Sequence, residues 1–322
     1  MLAAAGLVVV LAGLGDLEAV AERLEHADTG LVALAAGFEA LSFAGYVALT
    51  RIVFQPAAPR ISWTASLDIT LAGVVATRIV TAGGAGGIAL TVWALRAAGL
   101  DARTVATRLA GFFVVLYGVY FIALGLVGAG LATGLFGREA PTSLAVAGFV
   151  IGALVVVLAL SARLVPRDLE RRVRRAAMAG GRPTRWAARL VPAPAVARDG
   201  VALALRIVLH RPVAVAVAVV WWGFDLAVLW STLDMFGAPP ASSVLVLCYF
   251  LGQLAQVIPV PGGIGPVEGG TIAALAACHV PVSQAVVAVL AYKAIATWLP
   301  AAPGALAYLR LRRTVAAWRA TA

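Results

Sequence analysis

Six ionisable side chains interrupt otherwise apolar stretches of this chain: Glu39, Asp68, Arg78, Asp225, Glu268 and Lys293. Such a group inside an apolar helix costs about 2.5–3.5 kcal/mol on insertion scales, so it must be paired, reach the interface or serve a function. Glu268 follows a break rich in Pro and Gly at 258–268. A carboxylate in the first turn of the next helix gains from the helix dipole. It reads either as a cap or as a cavity group that binds a cation or a polar headgroup. Lys293 is the only lysine. It can pair with Glu268, meet a lipid phosphate, or snorkel to the interface. Arg78 stands just before a second break at 81–87. Its guanidinium suits phosphate, and an ion pair with Asp68 or Glu39 is the alternative. Asp225 follows Trp221-Trp222, a pair that reads as packing or an interface belt.

The glycines at the breaks have two readings as well. Gly83, Gly84, Gly262 and Gly263 can offer backbone N–H groups to a phosphate, or they can let helices approach closely. Neither break has the nucleotide-binding pattern G-x-x-x-x-G-K-[ST]. Together, Arg78, Gly83, Gly84, Gly262, Gly263, Glu268 and Lys293 form the candidate substrate-binding set. No catalytic constellation accompanies them. G-x-S-x-G and H-E-x-x-H are absent, and His26, His210 and His279 are scattered without metal-ligand spacing. Cys248 and Cys278 both fall in apolar runs, so a disulfide framework is not expected. No metal and no cofactor is implied.

The elements that position these residues follow from composition. The chain is 62% hydrophobic and 12% charged, with mean hydropathy +0.97. Soluble domains carry about 25% charged residues. A chain this apolar must use lipid as its solvent. Period-2 alternation is absent, so helices rather than a β-barrel must satisfy the backbone. Apolar segments run over 2–14, 30–54, 63–81, 87–98, 105–131, 141–160, 211–232, 241–258, 267–278 and 284–308. Segments 87–98 and 267–278 are short of the roughly 20 residues a span needs. Each follows one of the breaks, which predicts two broken or re-entrant helical hairpins. The N-terminal segment lacks a basic leader, which argues against a cleaved signal peptide.

Charge sets the orientation. The net charge of +10 comes from arginines collected in loops rather than from a basic groove with aromatics, which argues against nucleic acid. Segment 161–210 is dense in Arg, including Arg171, Arg172, Arg174 and Arg175, and the tail carries Arg310, Arg312 and Arg313; both are read as cytoplasmic. Segment 15–29 and loop 233–240 are acidic and are read as outside. These assignments agree only if each hairpin returns to the side it left. The order of elements over 30–131 then repeats, inverted, over 211–308. Gly83-Gly84 and Gly262-Gly263 lie 179 positions apart. Inverted repeats with broken helices are a transporter signature.

Stretch 253–309 resembles the lysylphosphatidylglycerol synthase transmembrane region family, also called flippase-like domain proteins. The most specific part is Pro259-x-Pro261-Gly262-Gly263-Ile264-Gly265-x-x-Glu268, followed by Tyr292-Lys293, Trp298-Leu299-Pro300 and Gly304. The family commonly has Arg where Lys293 stands. Block 67–103 is similar too, with Gly86-Gly87 and Leu95-Arg96, but has Thr81-Ala82 in place of a proline. The resemblance spans 1–312. It implies a membrane domain that moves a lipid between leaflets, which in some members is fused to a synthase making aminoacyl-phosphatidylglycerol from charged tRNA. The short segment after Arg310 leaves no room for that synthase here.

The sequence thus predicts an all-α, polytopic transmembrane bundle with two inverted repeats. Its parts are an N-terminal helix and acidic outer segment (1–29), repeat one (30–131), an extra transmembrane helix (132–160), the Arg-rich cytoplasmic linker (161–210), repeat two (211–308) and a basic cytoplasmic tail (309–322). The predicted function is lipid translocation in the plasma membrane, without enzymatic activity. The partners are membrane lipids: an anionic or aminoacylated phospholipid, or a polyprenyl-linked lipid. Homo-oligomerisation is left open. The rivals are a scaffold for a lipid- or glycan-modifying enzyme and an enzyme acting on polyprenyl-phosphate sugars.

Overall fold

Runs of Ala, Leu, Val and Gly satisfy their own backbone hydrogen bonds as helices, and every element in the described residues is helix or turn. The computed structural model describes residues 28–79, 85–166, 193–257 and 265–320. Helix α1 (Thr29–Phe54) is followed by α2 (Trp63–Ile79), α3 (Ala85–Ala97) and the long α4 (Ala102–Ala132). Next come α5 (Thr142–Ser161), α6 (Ala193–His210) and α7 (Val213–Phe236). The chain closes with α8 (Ser242–Gln253), α9 (Pro266–Ala277), α10 (Val282–Trp298) and α11 (Ala301–Ala320).

Among the described residues, five stretches are long and apolar enough to cross a membrane: Thr29–Phe54, Ala102–Thr133, Thr142–Leu164, Val213–Phe236 and Val282–Ala320, the last comprising α10 and α11. The two helices after the breaks are short, as the sequence predicts: Ala85–Ala97 and Pro266–Ala277. The apolar stretches before the breaks, Trp63–Thr77 and Ser242–Val257, are short as well. The molecule is a multi-pass helical membrane protein. Helix α5 presents Val150, Leu154, Val157 and Leu158 on its exposed face, the side that lipid must cover.

The helices pack in pairs. Helix α1 packs along α7, α2 against α3, and α8 against α9. Small residues make the closest approaches, because lipid supplies no hydrophobic force to press helices together and packing must do so. A Cβ on Gly45 would lie 2.6 Å from the Val217 carbonyl, and one on Gly87 would lie 2.7 Å from that of Gly73. The terminal helix α11 crosses back to α2. There Arg310 Nη2 and Nε donate to Asp68 Oδ1 at 2.7 and 3.0 Å.

One helix was hidden in the linker. The Arg content of 161–210 reads as a solvated connection, yet Ala193–His210 is helical and packs on α4. Gly200 fits against Ala110 and Gly111, and Val201, Ala204 and Ile207 are buried. Arg198 and Asp199 pair on its surface at 2.7 Å, so the charges occupy one side of a helix that is apolar on the other.

Candidate functional site

A cavity of about 780 Å³ lies between the two sets of helices. Helices α1 to α4 supply one part of its wall and α7 to α10 the other. Residues on both sides of each break reach it: Thr77 and Gly87 around the first, Val257 and Pro266 around the second. The tips themselves, with Gly83, Gly84, Gly262 and Gly263, lie outside the described residues. So does the side chain of Arg78.

The second hairpin places Glu268. Gly265 adopts φ +120°, a backbone state that suits glycine, and Pro266 opens α9 at a position where its missing N–H costs nothing. Glu268 then falls at the third position of the helix. Its Oε2 accepts the Gly265 N–H at 2.7 Å, which closes the helix N-terminus. Its Oε1 lies 2.7 Å from Lys293 Nζ on α10. This contact is an ion pair and lacks the angle of a hydrogen bond. One side chain therefore makes both the helix cap and the pair with Lys293. Glu268 is buried, its side chain 4% exposed, and Lys293 stands in front of it in the cavity wall.

Asp225 is the second anchor. It is buried on α7 and also faces the cavity. Its Oδ2 accepts two hydroxyl donors: Tyr249 from α8, and Tyr292 from α10 at 2.8 Å. Gln253 Nε2 reaches the Tyr292 oxygen at 3.4 Å. Adjacent residues of α10 thus hold two acids on different helices: Tyr292 holds Asp225 and Lys293 holds Glu268. Charge counting singled out Asp225 but not Tyr249 or Gln253. The available signal was a hydroxyl or amide inside an apolar helix, which costs energy unless it is bonded.

Glu39 on α1 is buried and lines the same cavity. Asp68 is not part of it; its acid is held by Arg310 near α11. Thr50, Thr70, Thr77 and Thr91 add hydroxyls to the wall, with Thr50 and Thr70 in contact at 3.3 Å. Trp221 and Trp222 both line the cavity, and the buried Trp222 donates its indole N–H to the Leu116 carbonyl at 2.8 Å. Both tryptophans therefore pack, one of the two readings the sequence allows, and both form part of the wall.

Among the described residues, no cluster of His, Cys, Asp and Glu could hold a metal. The site offers fixed carboxylates, one ammonium and hydroxyl-bearing walls around a space large enough for a polar headgroup. Such an arrangement can recognise a zwitterionic or aminoacylated group by charge, since an incoming phosphate and an incoming amine can each exchange for one half of the Lys293–Glu268 pair.

No curated protein matches the chain. A family model described as the lysylphosphatidylglycerol synthase TM region matches residues 1–304. The chain therefore belongs to the lysylphosphatidylglycerol synthase TM region family.

Proposed function

We propose that this protein moves a phospholipid, or another anionic or aminoacylated lipid, between the leaflets of the plasma membrane. The observation that carries this reading is the cavity between the helix sets, with the buried Lys293–Glu268 pair in its wall. A buried ion pair contributes little net stability, and its burial beside an open space is a cost that function explains better than folding does. In this mechanism a lipid phosphate takes Lys293 and an amine on the headgroup takes Glu268 or Asp225. Arg78 and the N–H groups at Gly83, Gly84, Gly262 and Gly263 extend the phosphate contacts. The acyl tails stay in the bilayer.

The two hairpins are proposed to act as the inverted halves of an alternating-access device. Support comes from the 179-residue separation of Ser42 and Trp221, which meet where α1 packs on α7 and whose spacing equals that of the glycine pairs. The Arg-rich segment and the tail are placed in the cytoplasm, following the positive-inside rule. Polyprenyl-linked lipids belong to the same substrate chemistry, since they too carry phosphate.

The test is leaflet-resolved movement of headgroup-labelled lipids in proteoliposomes, with Glu268→Gln beside the unaltered protein. Faster exchange of one lipid class, lost in the variant, supports the reading. No movement of any anionic, aminoacylated or polyprenyl lipid would transfer support to the scaffold reading.

A further inference from the structure

Two thiols that the lipid pathway does not use meet at the base of the second hairpin. Cys248 lies on α8 and Cys278 follows the last residue of α9, and their sulfur atoms are 3.6 Å apart. Both are free cysteines. The two are 30 positions apart, and the chain between them holds the Pro- and Gly-rich break. A disulfide needs sulfurs at about 2.05 Å, so an approach of about 1.5 Å separates this arrangement from a bond.

Both thiols are buried, but only Cys278 borders an open space. Cys248 is fully buried, but Cys278 lines a cavity of about 230 Å³ with Glu139, Pro240 and the exposed His279. This cavity shares no residue with the central one. His279 has φ +66°, an uncommon state for a side chain other than glycine, and turns the chain sharply at this point. The same cavity includes Ala238 and Pro240 of the acidic loop placed outside the membrane, the side on which disulfides form and persist.

We propose that Cys248 and Cys278 form a dithiol–disulfide site, and that its oxidation locks the α8–α9 hairpin. Helix α9 carries Glu268 at one end and the Cys278 turn at the other. A bond from that turn to α8 fixes the helix that holds Glu268 against Lys293. In the cell, Cys278 would attack the disulfide of a thiol–disulfide exchange partner. Cys248 would then displace that partner, which leaves as its dithiol with the two electrons and two protons. The locking half of the proposal rests on the lipid-translocation reading; the bond itself does not.

Diamide, a small oxidant, tests it on the purified full chain. The Cys278 S–H adds across the azo N=N bond, sulfur to one nitrogen and proton to the other. Cys248 Sγ then attacks Cys278 Sγ, the S–N bond breaks, and the freed nitrogen takes the Cys248 proton, leaving a hydrazine. After acid quenching, alkylation and digestion, mass spectrometry is expected to find the Cys248 and Cys278 peptides cross-linked, reversibly with dithiothreitol, and not in Cys278→Ser. Oxidised protein in proteoliposomes is expected to move labelled lipid several-fold more slowly, with recovery on reduction and no response in Cys278→Ser. Two separately alkylated cysteines after diamide treatment overturn the whole proposal. A cross-link with unchanged lipid movement overturns the locking half. Reduced protein that moves no lipid overturns the translocation reading and the locking half together, and leaves the dithiol site to be decided by the cross-link.

Discussion

The Ser42 hydroxyl donates to the Trp221 backbone carbonyl at 2.9 Å, joining α1 to α7 across 179 residues. Three residues along α1, Gly45 lets the two backbones touch. A Cβ there would meet the Val217 carbonyl at 2.6 Å and the Trp221 nitrogen at 2.9 Å. Both obstacles are backbone, so neither can rotate away. Gly45→Ala is expected to destabilise the fold by about 1–3 kcal/mol, the usual cost of overpacking. Gly37→Ala on the same helix has nothing within 4 Å and should be neutral or slightly stabilising. Thermal unfolding in nanodiscs compares the two; equal midpoints would count against the close α1–α7 contact.

The ion pair at the cavity separates stability from function. Lys293→Ala leaves Glu268 buried behind the cavity wall with its cation gone. Breaking such a pair from one side costs about 3–5 kcal/mol. The double change Glu268→Gln with Lys293→Met removes both charges and should recover most of that stability. Lipid movement should stay lost in the double variant, because neither half can exchange with a headgroup. Recovery of both stability and transport would show that the pair is structural only.

Much of this was legible in the sequence because it followed from costs that any membrane helix faces. Pro259, Pro261, Gly262 and Gly263 interrupt one apolar run, and the short helices beside both breaks appear where their lengths require. Glu268 and Lys293 could be matched because a half-helix carboxylate and a lone lysine each needed a partner. Asp68 was harder. Its partner Arg310 is 242 residues away, in a tail whose arginines serve topology equally well. Helix α6 was masked by the arginines around it, because net charge conceals a narrow stripe of small residues. The cysteine contact depends on how α8 and α9 cross, which no local pattern encodes.

Asp101 supplies a pH-dependent element outside the membrane. It caps α4: Oδ1 accepts the N–H groups of Arg103 and Thr104 at 3.0 Å, and Oδ2 accepts the Thr104 hydroxyl. The Thr104 hydroxyl, aided by these backbone N–H groups, holds the carboxyl below its usual range. A depressed value means that the cap stabilises above the unfolded carboxyl's titration and is lost as pH falls through the folded one. The stability gap between the unaltered protein and Asp101→Ala should be full at neutral pH and narrow in acid. A gap that stays constant with pH would assign the effect to helix propensity instead.

The two tyrosines on Asp225 should behave as a coupled unit. Both hydroxyls end on the same oxygen, Oδ2, one from α8 and one from α10. Removing Tyr292 by Phe leaves the Tyr249 donor in place, and the reverse change leaves Tyr292. Each single change should therefore cost about 1 kcal/mol, near the ordinary net value of a hydrogen bond. The double change Tyr249→Phe with Tyr292→Phe strips both donors from that buried oxygen and should cost more than the sum of the singles, by about 1–2 kcal/mol. A double-mutant cycle read by chemical or thermal unfolding measures this excess. Simple additivity would mean that the two donors act independently and that Asp225 does not join α8 to α10. The same cycle read by lipid movement is expected to show its larger effect in the Tyr292 arm, because Tyr292 adjoins Lys293 on α10 while Tyr249 only supports Asp225 from behind.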